Sequence, residues 1–157
     1  MKGQDLYSPF FLQNENIKEI IMRKIDTIII HCSATKPSQN IGAAEIDTWH
    51  KKQGWNEIGY HFVIRRSGEI EQGRDLEKIG AHCKGHNAHS IGICLVGGID
   101  DNGKPENNFT DAQFISLRKL TAKLQEQFPA LQSIHGHNEF ANKACPCFDV
   151  HTFFYGK

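Results

Sequence analysis

The chain has 157 residues, enough for one domain with a substantial buried core. Apolar residues make up 39% and charged residues 23%, a balance that excludes a disordered polyelectrolyte and a membrane-embedded bundle. Lysine plus arginine and aspartate plus glutamate each total 18, so the formal net charge is zero and nothing favours nucleic acid or an anionic membrane as a partner.

Residues 1–22 carry no strong hydrophobic period and no continuous apolar stretch of the kind that directs secretion. They are expected to form an appendage, with one short helix around Ile17–Met22, outside a domain spanning 23–157. With no such signal and no run long enough to span a bilayer, the chain is expected to be cytoplasmic as synthesised. The β-branched run Ile25–Ser33 has the length of a buried strand. The loop SATKPSQN follows. Ala43–Gln53 reads as a helix, with Ile46, Trp49 and His50 at helical spacing, Trp49 directed to the core and Gly54 as a stop.

YHFVIRR and SGEIEQG read as two strands joined at Ser67-Gly68. Ser90–Gly98 is a second buried strand, and a polar loop runs from Asp100 to Asn108. Thr110 with Gln113 makes a capping box that opens a helix, because the two side chains satisfy backbone amides left free at its start. Phe114, Leu117, Leu120, Leu124 and Phe128 share one face of that helix, and Pro129 closes it. LQSIHGH is a last short strand, and FDVHTFFY a terminal helix. Strands interleaved with helices, without a glycine-rich phosphate loop, predict an α/β fold: a single domain with a central mixed β-sheet flanked by helices.

Five cysteines stand at 32, 83, 94, 145 and 147, an odd and scattered set that fits reduced thiols better than a disulfide framework. Cys32, Cys83 and Cys94 read as small buried side chains. Nine histidines favour metal or proton chemistry. The stretch HGHNEFANKACPCFD, residues 135–149, crowds two histidines, a lysine and two cysteines into one loop. Its natural complement is His31, at the C-terminal end of the first strand, where sites on sheets commonly lie. Each of His31, His137 and Cys145 alone suits a structural or surface role as well as a ligand. Together they offer two imidazoles and a thiolate, a zinc triad that leaves the fourth tetrahedral position to water, as catalytic sites do. Zinc so held lowers the pKa of water toward ~7. His135 is the rival to His137, and Cys147 would close a purely structural site as a fourth ligand.

Five blocks extend the pattern: HCSATKPSQN, WHKKQGWNEIGYHFVI, GAHCKGHNAHSIGICLVGGIDD, NFTDAQ and KACPCFD. In this order they resemble the zinc-dependent N-acetylmuramoyl-L-alanine amidases of the phage lysozyme type, relatives of the peptidoglycan recognition proteins. The resemblance covers about residues 23–154. It implies one zinc ion on His31, His137 and Cys145, with Tyr60 and Lys143 as catalytic residues. It implies peptidoglycan as substrate, cut between the lactyl group of N-acetylmuramic acid and L-alanine, by an endolysin that acts on the wall after release or by a wall-remodelling enzyme. His82 matches a family histidine placed on the floor of the substrate groove, with a structural hydrogen bond as its alternative role, and Trp55 is a second candidate for contact with substrate, with packing as its alternative. His86, His89 and His151 read as surface residues.

Cys147 departs from the family pattern, which has glycine or another small residue after Cys-Pro. It raises the expectation of a redox-sensitive site, through pairing with Cys145 or competition for the metal. Two other classes of function remain open at this stage. A non-catalytic peptidoglycan-recognition module would be expected to lack the zinc cysteine or the tyrosine, and both are present. A cysteine peptidase using Cys145 is disfavoured by Pro146, because the amide after such a nucleophile usually serves the oxyanion.

Overall fold

The computed structural model describes residues 23–156; the expected appendage and its helix lie outside the described residues. Five strands form one sheet: β1 (Thr27–Cys32), β2 (Phe62–Ile64), β3 (Ile70–Gln72), β4 (Ser90–Leu95) and β5 (Ser133–Gly136). Their spatial order is β3-β2-β4-β1-β5, with every pairing parallel except the β2–β3 hairpin. Among the described residues three α-helices accompany them: α1 (Ala43–Lys52), α2 (Asp111–Gln127) and α3 (Val150–Tyr155). The expected mixed sheet with flanking helices is therefore present.

Strand composition explains the layering. β1 and β4 are buried at all six positions each, as central parallel strands covered on both faces must be. Successive side chains point to opposite faces. Ile28 and Ile30 of β1, Phe62 and Ile64 of β2, and Ile93 and Leu95 of β4 meet Leu117, Leu120 and Leu124 of α2 and Val150 of α3 in the main core. On the other face, Val63 and Cys94 pack with Ile41, Ile46 and Ile58, a smaller cluster beneath α1. His31 alternates with Ile30 and so belongs to this second face, which α1 covers only in part.

The capping box at α2 forms as expected. Thr110 Oγ1 accepts from Gln113 N–H at 3.1 Å, and Gln113 Oε1 accepts from Thr110 N–H at 2.9 Å. The fully buried Gln113 also donates through Nε2 to the carbonyls of Ile64 and Val96. One polar side chain thus starts the helix and ties it to β2 and to the chain just past β4. α1 begins differently. Gly42 is its N-cap, and Glu45 and Glu71 accept the Gly42 and Ala43 amides. A Cβ on Gly42 would collide with the Arg65 and Glu71 side chains that cover it.

Several boundaries differ from the sequence expectation. β2 and β3 are three residues each, because the chain turns away after Ile64 through Arg65 and Arg66. Trp49 is 38% exposed, not core: Ile46 alone is buried on α1. A helix covering a small cluster needs only a narrow apolar stripe, so its helical spacing overstated the burial of Trp49.

Candidate metal centre and active site

Parallel pairing of β1 with β5 aligns their C-terminal ends, with Ile30 opposite Gly136. His31 follows Ile30 and is 1% exposed. His137 follows Gly136 and opens a short 3-10 turn, His137–Glu139. The loop after that turn carries Cys145 back over the end of β1, where Cys32 N–H donates to Cys145 Sγ at 3.2 Å. One ligand atom from each of His31, His137 and Cys145 lies within 4.8 Å of the other two. The His31 Nδ1 to Cys145 Sγ distance is 4.0 Å, and the two imidazole centroids are 4.6 Å apart.

This arrangement suits a cation. Zinc bonds of about 2.0–2.3 Å in tetrahedral geometry bring donors to roughly 3.4–3.6 Å of one another, a contraction that small side-chain rotations supply. His137 Nδ1 is buried without a hydrogen-bond partner, a costly state that a bound metal would relieve. Burial pushes the pKa of His31 well below the ordinary imidazole value, helped by His82, His137 and Lys143. Burial, with Lys143, lowers that of His137 too. Both rings are therefore neutral, as ligands must be.

The family model described as N-acetylmuramoyl-L-alanine amidase matches residues 22–148. The chain belongs to the N-acetylmuramoyl-L-alanine amidase family. The amidase is 55% identical over 125 residues to the endolysin of Escherichia phage T7, covering 80% of this chain and 82% of that protein. It is 54% identical to the endolysin of Enterobacteria phage T3 over the same shares. Among solved structures, the endolysin amidase LysCS of Clostridium intestinale superposes with a TM-score of 0.68 at 29% identity, over 79% of this chain and 76% of that one. Drosophila PGRP-LB shares the fold, with a TM-score of 0.70 at 24% identity over 87% and 84% of the two chains.

The remaining expected residues fall around the three donors of the amidase. The half-buried Tyr60 places its ring 5.1 Å from that of His31. Burial, with the side chains of Cys94, Cys145 and Cys32, holds its phenol pKa well above the usual value. Tyr60 is therefore a proton-bearing donor. Lys143 is exposed two residues before Cys145, close enough to disfavour protonation of His31 and His137. Trp55 is 38% exposed and packs at 4.5 Å on His50, which in turn lies 5.5 Å from Tyr60. A row of rings thus leads from His31 to the surface at Trp55.

His82 lies against the first ligand, its Nδ1 2.8 Å from His31 Nε2. His135 is engaged by Glu139 at 2.8 Å and stays outside the donor group. Cys147 is outside it too. Its thiol lies 4.0 Å from Cys32 Sγ and donates to the Gly98 carbonyl at 3.3 Å, so Cys32 is its sulfur neighbour. Burial, with Cys32, pushes the Cys147 pKa up to about 11. Its backbone is left-handed, φ 71°, the conformation that favours glycine at this place.

Cys32, Cys83 and Cys94 are buried as expected. His151 is exposed, while His86 stacks on Phe140 at 4.0 Å and His89 pairs with Asp26. Sequence reasoning gave His50 only a place on the α1 face and gave His61 and Ser90 no role. They lie within the quoted blocks, but their roles follow only from the neighbours that folding gives them.

Proposed function

We propose that the amidase holds one zinc ion on His31, His137 and Cys145 and hydrolyses peptidoglycan between the lactyl group of N-acetylmuramic acid and L-alanine, as a phage-type endolysin. The observation that carries the metal reading is the convergence of three donors around an unpartnered, buried His137 Nδ1. The endolysin relatives at 55% and 54% identity support the substrate and the setting.

Bound by His31, His137 and Cys145, zinc would supply Lewis acidity for the scissile carbonyl and would acidify a water toward neutral pH. The chain's own groups do the rest. Cys145 contributes the single thiolate, steadied by the Cys32 amide. Lys143 brings a positive charge to the rim, where charge develops on the oxygen of the tetrahedral intermediate. Tyr60, kept protonated by its surroundings, donates a hydrogen bond toward the same space and orients water or carbonyl. The exposed ring of Trp55, backed by the partly buried His50, offers a surface on which a sugar face or stem peptide can lie.

Digestion of purified peptidoglycan tests this reading. New L-alanine amino termini without new reducing sugar ends are expected from the zinc-loaded protein, and none after chelation. Cleavage that survives complete zinc removal would instead make Cys145 a nucleophile beside His31. Binding without cleavage would make the chain a recognition module.

A further inference from the structure

His82 takes no part in the chemistry above, yet both its backbone and its ring are held. Its backbone N–H and that of Cys83 both donate to Asn87 Oδ1 at 2.9 Å. Its ring occupies a slot that two glycines leave open. A Cβ on Gly92 of β4 would come within 2.6 Å of His82 Cγ and Cδ2, and one on Gly80 within 2.8 Å of Cδ2. Such contacts force displacement of whatever fills the slot.

Both ring nitrogens are engaged: Nδ1 with His31 Nε2 at 2.8 Å, and Nε2 with the Oγ of the fully buried Ser90 at 3.3 Å. His61 flanks the slot, its ring 5.9 Å from that of His82 and nearly perpendicular. It is committed elsewhere. His61 Nδ1 accepts from Gly92 N–H at 3.1 Å, so its Nε2–H donates to the Lys78 carbonyl at 2.9 Å.

We propose that His82 is a positioning residue that fixes the tautomer and orientation of His31. A neutral imidazole carries one proton, so His31 can present a bare Nδ1 to Cys145 and His137 only if the proton sits on Nε2. His82 Nδ1 receives that Nε2–H, and His82 Nε2–H passes to Ser90 Oγ. The direction of both bonds is then set. A metal-ligating histidine commonly gives its second N–H to a carboxylate or carbonyl. Here the acceptor is a neutral imidazole, which orients the ligand without adding negative charge to a site that already contains a thiolate. This role deepens the three-ligand reading and rests on it.

The test uses two readouts. In metal-free wild-type protein, proton–nitrogen NMR correlation of the imidazole rings is expected to show His31 protonated at Nε2 and bare at Nδ1. In H82A the His31 signals are expected to report a mixture of tautomers. Competition with a chromogenic chelator is expected to show zinc affinity weakened about 10- to 100-fold in H82A. In H82N, where Oδ1 takes the place of Nδ1, most of that loss should be restored; a role confined to packing would move thermal stability without this pattern.

An Nδ1–H tautomer of His31 in the wild type would overturn the proposal. So would H82A binding zinc as tightly as a wild type that binds one equivalent. Wild type that fails to take up zinc would sink the metal reading instead, while the NMR result on metal-free protein still decides the tautomer. Should H82A not fold, S90A serves: freeing His82 Nε2 is expected to weaken zinc in the same direction by a smaller factor, and no change would count against the relay.

Discussion

His31 Nδ1 and Cys145 Sγ lie 4.0 Å apart, although 114 positions separate them in the chain. The pairing of β1 with β5 and the return of the loop before α3 create that proximity. Neither residue is a ligand by itself. The donor set is a product of folding, and the sheet order β4-β1-β5 is the feature that assembles it.

Lys143→Ala is expected to leave zinc content unchanged and to lower kcat by about 10²- to 10³-fold, the usual cost of removing one group that stabilises an oxyanion. Tyr60→Phe keeps the ring beside His31 and removes only the phenol donor, and its expected loss is about 10²-fold. Steady-state rates on peptidoglycan, with metal analysis of the same samples, check both. A large drop in zinc content would show that these residues support the site rather than the reaction.

Cys147→Ser is expected to bind zinc and cleave substrate like the parent. A serine hydroxyl can still donate to the Gly98 carbonyl, and the thiol it replaces faces Cys32 instead of the donor group. Titration with zinc against a chelator measures this. Weaker binding in the serine variant would bring Cys147 into the coordination sphere.

Stability should fall with acid through His61. Burial pushes its pKa down to about 3, against an ordinary value of 6.5. Between those two values the unfolded chain holds a proton that the folded protein does not, so stability rises with pH across this window. The contribution is complete above about 6.5 and is lost as pH falls toward 3, at a slope of up to about 1.4 kcal/mol per pH unit. Urea unfolding of zinc-free protein between those limits is expected to show a shallower pH dependence in His61→Gln. Parallel curves for parent and variant would refute the assignment.

Thr110→Ala should cost about 0.5–2 kcal/mol, because Gln113 N–H loses its acceptor at the start of α2. Zinc affinity is expected to stay as it was, since α2 packs on the face of the sheet opposite His31. Denaturant midpoints and the chelator titration together decide it.

That cap was legible because its signal is local: a threonine, a glutamine three residues on, and an apolar face after them. The long strands were legible for the same reason, with Thr27–Cys32 lying inside the expected Ile25–Ser33. The donor set was legible only in company with the resemblance of the surrounding blocks, since no spacing links His31 to Cys145. Local reading failed where a neighbour decides. Trp49 has helical spacing but is 38% exposed, because Ile46 alone of this helix is buried in the small cluster beneath it. The sulfur partner of Cys147 is Cys32, distant in sequence, and the nearby Cys145 had seemed the natural choice. His82 was read as a groove-floor residue or a structural hydrogen-bonder, and which group it would bond could not be read, since its bond to His31 depends on a slot that Gly80 and Gly92 keep open. A glycine reveals such a slot only once the fold is known.

X-ray absorption at the zinc edge of the loaded protein tests the central claim most directly. The account predicts one sulfur scatterer at about 2.3 Å and the remainder nitrogen or oxygen at about 2.0–2.1 Å. It also predicts that the sulfur shell disappears in Cys145→Ala and persists in Cys147→Ser. Two sulfurs around the metal, or a sulfur shell that survives loss of Cys145, would contradict it.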